Sequence, residues 1–141
     1  MVIDHIGVVV ASIDEGIKQW GELFGYKKNS DIVVNTRQKV KVVFLAKPNS
    51  LTIKLIEPAE NGSPVSAFAR RGGGLHHICF RCEDSKRQIA DLKAKGARLI
   101  VPPEPGEAFC NHDIAFLLAQ NNLNVELIDT TEKQGWNAAH S

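Results

Sequence analysis

The chain has 141 residues, 43% of them apolar, and a formal net charge of +1 from 17 basic and 16 acidic side chains. That length suits one domain with a sizeable core, and the balanced charge excludes the basic footprint of a nucleic-acid or anionic-membrane binder. No apolar run approaches the roughly 20 residues of a membrane span. Met1-Val2-Ile3-Asp4 lacks the charged and apolar regions of a secretory signal, so a cytoplasmic protein is expected.

Ile3 to Val10 alternates: Ile6, Val8 and Val10 share one face, and His5, Gly7 and Val9 the other. Ser12-Ile13-Asp14-Glu15 reads as a capping box opening a helix that runs to about Phe24. Ile13, Ile17, Trp20, Leu23 and Phe24 form its buried stripe, and Gly25 ends it. Three extended pieces follow: a weak strand from Tyr26 to Val34, a strong one from Val40 to Ala46, and an alternating one from Leu51 to Glu57. The last has Thr52, Lys54 and Ile56 on one face.

Residues 59–73 read as a connector, with Ser63 capping a short helix that starts at Pro64 and runs to Arg71. Gly72-Gly73-Gly74 stops it and reads as a flexible joint, since no P-loop lysine pattern accompanies the triplet. Leu75 to Cys82 is a strand, and Asp84 caps a helix that runs through Lys95 with Ile89 and Leu92 inward. Ala97 to Val101 is a strand, Pro102 to Gly106 a rigid loop, and Asp113 to Ala119 and Leu123 to Asp129 the last two strands. Thr130 to Ser141 reads as a loosely held tail that Trp136 could pin. The three cysteines form no disulfide framework. Cys79 and Cys82, though spaced C-x-x-C, read as buried thiols because no second pair exists.

The two halves repeat. With an offset of 72 residues (77 − 5), His77 falls on His5, Ile78 on Ile6, Ile89 on Ile17, Phe116 on Phe44 and Leu117 on Leu45. Asn121 falls on Asn49, Leu123 on Leu51, Leu127 on Leu55 and Ile128 on Ile56, and no gap is needed. The expected fold is therefore α+β: two βαβββ modules, about 1–58 and 74–130, forming curved mixed sheets around a cleft. In the same register Glu126 falls on Lys54. Alternation puts His5, Lys54, His77 and Glu126 on the face away from the helices. His76, adjacent to His77, is expected to face the other way and pack against a helix. Two imidazoles and a carboxylate are a common ligand set for a divalent metal. The plainer alternative, polar strand residues satisfying backbone groups, suits a lone histidine better than two related by a repeat.

This order of elements, with His on the first strand of each half and Glu on the last, resembles the vicinal oxygen chelate superfamily of glyoxalases, extradiol dioxygenases and bleomycin-resistance proteins. Asp4-His5-Ile6-Gly7-Val8, Leu55-Ile56-Glu57-Pro58, the run Phe68-Ala69-Arg70-Arg71-Gly72-Gly73-Gly74-Leu75-His76-His77-Ile78 and Val125-Glu126-Leu127-Ile128 are most similar to the methylmalonyl-CoA epimerase family. The resemblance implies a glyoxalase-like fold, a homodimer, and a divalent ion (Zn, Co, Mn or Ni) held by His5, His77 and Glu126. It also implies an epimerase or lyase that abstracts an α-proton from a small acyl-CoA or 2-oxo substrate.

Two departures from the family pattern stand out. Lys54 replaces the fourth ligand, and an ammonium has no acceptor with which to ligate. The segment Asn35-Thr36-Arg37-Gln38-Lys39, where the family carries its catalytic glutamate, has no carboxylate. Lys54 and His112 are then the candidate catalytic groups, and Arg70 and Arg71 candidates for a phosphate of a CoA-like ligand. The alternative is a metal-free small-molecule binding protein in which Lys54 pairs with Glu126 in the metal's place.

Overall fold

A computed structural model describes residues 1–140. Its elements are β1 (Val2–Val9), α1 (Ile13–Phe24), β2 (Lys27–Lys28), β3 (Val33–Asn35), β4 (Val40–Ala46), β5 (Thr52–Pro58), α2 (Ser66–Arg70), β6 (Gly74–Arg81), α3 (Ser85–Ala94), β7 (Arg98–Pro105), β8 (Asp113–Leu118) and β9 (Asn124–Ile128). The strands form one continuous, curved and unclosed sheet in the order β2-β4-β5-β1-β6-β9-β8-β7, with β3 added against β4. This is the α+β glyoxalase-like fold that the chain order implied.

The centre of the sheet is β5-β1-β6-β9. There β1 runs parallel to β5 and antiparallel to β6, and β6 runs parallel to β9. The period-2 pattern sorts the apolar side chains into two layers. On the helical side, Val8, Ile53 and Leu55 pack with Ile13 and Trp20 of α1, and Leu117 and Leu127 pack with Ile89 of α3. On the inner side, Val9, Phe44, Ile56, Cys79, Phe109 and Ile128 form a second core. Ser12 caps α1 by accepting a hydrogen bond from the Glu15 backbone N–H at 3.3 Å, and Asp84 caps α3 through the Arg87 N–H at 3.2 Å.

Several expectations need correcting. Leu23 and Phe24 are 64% and 48% exposed, because the buried stripe of α1 ends at Trp20. The strand expected from Tyr26 to Val34 is broken into β2 and β3. In the gap the Ser30 hydroxyl accepts the Phe44 backbone N–H at 2.9 Å, a bond that a sheet neighbour would otherwise make. Pro102 to Pro105 is part of β7, whose register against β8 shifts twice. This strand is at the sheet edge, where a proline's missing N–H costs no ladder bond.

The segment after Thr130 is pinned rather than loose. The Gln134 N–H donates to the Ala108 carbonyl at 2.9 Å, the Asp31 N–H to the Gln134 carbonyl at 3.1 Å, and the Asn137 N–H to the Asn29 carbonyl at 2.9 Å. Trp136 packs on the inner core. Gly73, with φ +70°, crosses close over β1: a Cβ there would stand 2.3 Å from the Val9 carbonyl oxygen, so only glycine fits the joint.

A candidate active site at the centre of the sheet

Each of the four central strands delivers one side chain to a single point. These are His5 from β1, Lys54 from β5, His77 from β6 and Glu126 from β9, all buried. Glu126 is the hub. Its Oε1 lies 2.9 Å from His5 Nε2 and 3.3 Å from His77 Nε2, and its Oε2 accepts from Lys54 Nζ at 3.1 Å. The two Nε2 atoms are 3.4 Å apart. The Lys54 ammonium also sits over the rings of Phe109 and Phe44, 5.1 and 5.9 Å from their centroids, where the ring faces favour a cation. Gly7 makes room for the cluster, since a Cβ at that position would fall 2.2 Å from the His77 ring.

A second layer holds His5. Its Nδ1 lies 2.7 Å from Asp4 Oδ2, which turns Nε2 toward Glu126. Asp4 Oδ1 accepts from Lys133 Nζ at 3.1 Å and from Arg81 at 3.3 Å. Burial pushes the Asp4 carboxyl up, but its bond to His5 and the Lys133 charge outweigh this and hold it below its ordinary range. Sequence reasoning missed both Asp4 and Lys133. Asp4 looked like the entry to a strand, and Lys133 lies 129 positions away in the expected tail.

Burial would raise the Glu126 carboxyl. The Lys54 ammonium first, then His77 and His5, overcome that and hold it well below the usual carboxylate range. Burial drives His77 the other way, down to about 4, although Glu126 opposes the shift. His77 is therefore neutral near pH 7: Nε2–H can donate to Glu126 and Nδ1 can accept from His76 Nδ1, 2.9 Å away. His76 departs from expectation. It packs edge-on against Phe68 of α2, but a register shift between β1 and β6 also brings it into the cavity beside His77.

Both shifts act on stability with the same sign. Glu126 and His77 are held below their ordinary values of 4.5 and 6.5, so the unfolded chain binds more protons than the folded one as the pH drops. The stabilisation is fully present above about pH 6.5 and is lost as the pH falls through the folded values. Urea midpoints should hold steady above pH 7 and decline between pH 6.5 and 4, with a His77 share on the order of 3 kcal/mol. A flat profile across that window would contradict the assignment.

Lys54, His77 and Glu126 form the floor of a cavity of about 230 Å³, with His5 buried behind them. Val40, Val42, Ile56, Ile114 and Phe116 supply most of its wall, and Asn35, Gln38, His76 and Asn124 its polar points. A space of that size suits an acyl group rather than a whole coenzyme. Gln38 Nε2 donates to Glu104 Oε1 at 2.6 Å, while Gln38 Oε1 is buried without a partner among the described residues. Glu104 pairs across the β7–β8 ladder with Ile114, a wall residue, so it rises from the same face of the sheet. Thus a carboxylate from β7 stands beside the segment that has none of its own.

His5, His77 and Glu126 each offer one donor atom, all within 4.8 Å of one another, a set able to hold a metal ion. The ammonium of Lys54 does not fit with it. It occupies Glu126 Oε2, has no lone pair to give, and would face any dication on that carboxylate at close range. At about 4 Å and an effective dielectric near 20, such a pairing is opposed by roughly 8 kcal/mol. Asp4, His5 and Cys79 also lie within ligating distance of one another. There, however, Asp4 is committed to three partners, and burial first, then Glu126, pushes the Cys79 thiol well up.

The sequence profile of the Glyoxalase/Bleomycin resistance protein/Dioxygenase superfamily matches residues 4–116. The chain belongs to this superfamily. It is 30% identical over 105 residues to the ethylmalonyl-CoA/methylmalonyl-CoA epimerase of Cereibacter sphaeroides, covering 73% of this chain and 77% of the relative. It is 32% identical over 134 residues to the uncharacterized protein YqjC of Bacillus subtilis, covering 94% and 93%. A Streptomyces coelicolor methylmalonyl-CoA epimerase variant, solved in complex with 2-nitronate-propionyl-CoA, superposes with a TM-score of 0.81 at 26% identity, covering 96% of this chain and 98% of that one.

Within this glyoxalase-type frame, the remaining sequence candidates lie apart from the cavity lining. His112 is on the surface, with Nε2 3.0 Å from Glu132. Arg70 and Arg71 are exposed at the end of α2, with Arg71 over the Phe68 ring. Glu104, which sequence reasoning passed over inside an expected loop, is the carboxylate that Gln38 brings beside the segment 35–39. A proline-flanked position gave no periodic signal by which to find it.

Proposed function

We propose that the protein is an acyl-CoA epimerase that removes and returns the proton α to a thioester carbonyl. The observation that carries this reading is the buried Lys54 ammonium at the floor of an acyl-sized, apolar cavity, on a fold shared with methylmalonyl-CoA epimerases. The acyl group enters the cavity, and the coenzyme lies outside it, toward Pro64 and Ile100. Glu104, aligned by Gln38, takes the α-proton. The C–H electron pair becomes the enolate double bond, and the carbonyl oxygen takes the charge. The dry site strengthens any cation's hold on that oxygen. Return of the proton by Glu104 to the same face restores the centre, and a proton taken from water on the opposite face inverts it. His5 and His77 keep Glu126 aligned. A homodimer in the cytoplasm is part of the same reading, the dimer being checked by sedimentation equilibrium.

Incubating the purified protein with methylmalonyl-CoA in deuterium oxide tests the proposal. Enzyme-dependent deuterium incorporation at the α-carbon, with loss of optical purity, is expected. No incorporation into methylmalonyl-, ethylmalonyl- or propionyl-CoA defeats it. A second reading, a binding protein without catalysis, draws on the absence of a carboxylate between Asn35 and Lys39. It predicts saturable acyl-CoA binding with no exchange.

A further inference from the structure

We propose that Lys54 is a cation built into the fold, which takes the place of a divalent metal and receives the oxygen of the bound substrate. Three observations converge. Lys54 Nζ reaches both oxygens of Glu126, at 3.1 and 3.4 Å, so it occupies the carboxylate that a metal would need. The Lys54 side chain is 3% exposed and fixed between Glu126 and the Phe109 and Phe44 rings, so it has no solvent position to retreat to when an ion arrives. It also lines the cavity, which puts its charge where a ligand's oxygen would lie.

The sharing of donors agrees with the geometry: Glu126 is the one carboxylate that Lys54, His5 and His77 all face. Adding a dication would leave two positive centres competing for a single carboxylate in a dry site. An ammonium has three protons to donate: one or two can serve Glu126 and one remains for a ligand oxygen. The substrate half of the proposal rests on the epimerase reading above, and the metal half does not.

The test compares the intact chain with Lys54→Gln and Lys54→Glu, both of which replace the ammonium with an oxygen donor. Each protein is loaded with Co(II) or Zn(II), freed of excess ion, and measured by elemental analysis and by cobalt d–d absorption. The parent should retain under 0.1 ion per chain and show no cobalt band. At least one variant should retain close to one ion per chain, and adding His77→Ala to it should abolish retention. Stoichiometric metal in the parent overturns the proposal, as does a failure of every folded variant to gain an ion. If neither variant folds, the parent decides alone: retention, or a loss of deuterium exchange on treatment with a chelator, defeats the idea, and chelator-insensitive exchange with no retained ion sustains it. A parent that exchanges nothing refutes the epimerase reading and leaves the metal result standing.

Discussion

Replacing Glu126 with leucine should lower unfolding free energy by about 3–5 kcal/mol, the usual result of stranding a buried charge. The carboxylate is fully buried and engages three side chains, so its loss leaves the Lys54 ammonium without a counter-charge and two imidazole nitrogens without an acceptor. The partner substitution makes the result diagnostic. Lys54→Met alone also strands a charge, but Lys54→Met with Glu126→Leu removes both, and the double variant should recover most of the loss. Urea denaturation of the four proteins gives the cycle directly. Additive losses in the double variant would mean that the two residues act independently, and the hub described above would then be wrong.

Changing Glu104 to glutamine should cut the rate of α-deuterium exchange by 10² to 10⁴ fold, the range for losing a general base. Glutamine keeps an oxygen at the position where Gln38 donates at 2.6 Å, so the rim should hold its shape. Melting temperature and acyl-CoA affinity should therefore move little while turnover collapses. A variant that exchanges at the parental rate would remove Glu104 from the reaction and point to another group on the cavity wall. A variant that loses affinity in proportion to rate would make Glu104 a binding residue.

The regular parts of the molecule were the legible ones. Alternation along β1, β5, β6 and β9 assigned His5, Lys54, His77 and Glu126 to one face, and the four side chains meet there at the buried centre of the sheet. Caps at Ser12 and Asp84 were equally readable, being set by residues within three positions. What failed was decided by partners distant in sequence. Nothing local announces that the Ser30 hydroxyl will take the Phe44 N–H, or that a register shift will bring His76 into the cavity beside its neighbour. The Gln38–Glu104 contact spans 66 positions and joins a loop to a proline-rich edge strand. The tail was misjudged for a related reason: polar composition suggested release, whereas its backbone bonds and the Lys133–Asp4 contact fasten it behind His5.

That Glu126 comes from the last strand has a consequence for biosynthesis. A growing polypeptide releases His5, Lys54 and His77 well before the carboxylate that reconciles them. Until β9 slots beside β6, the lysine must stay hydrated, and the central strands cannot close over it. Completion of the domain thereby waits until β9 has left the ribosome. A chain halted short of residue 126 would present an open, half-built sheet to the cell's quality-control machinery rather than a smaller folded module.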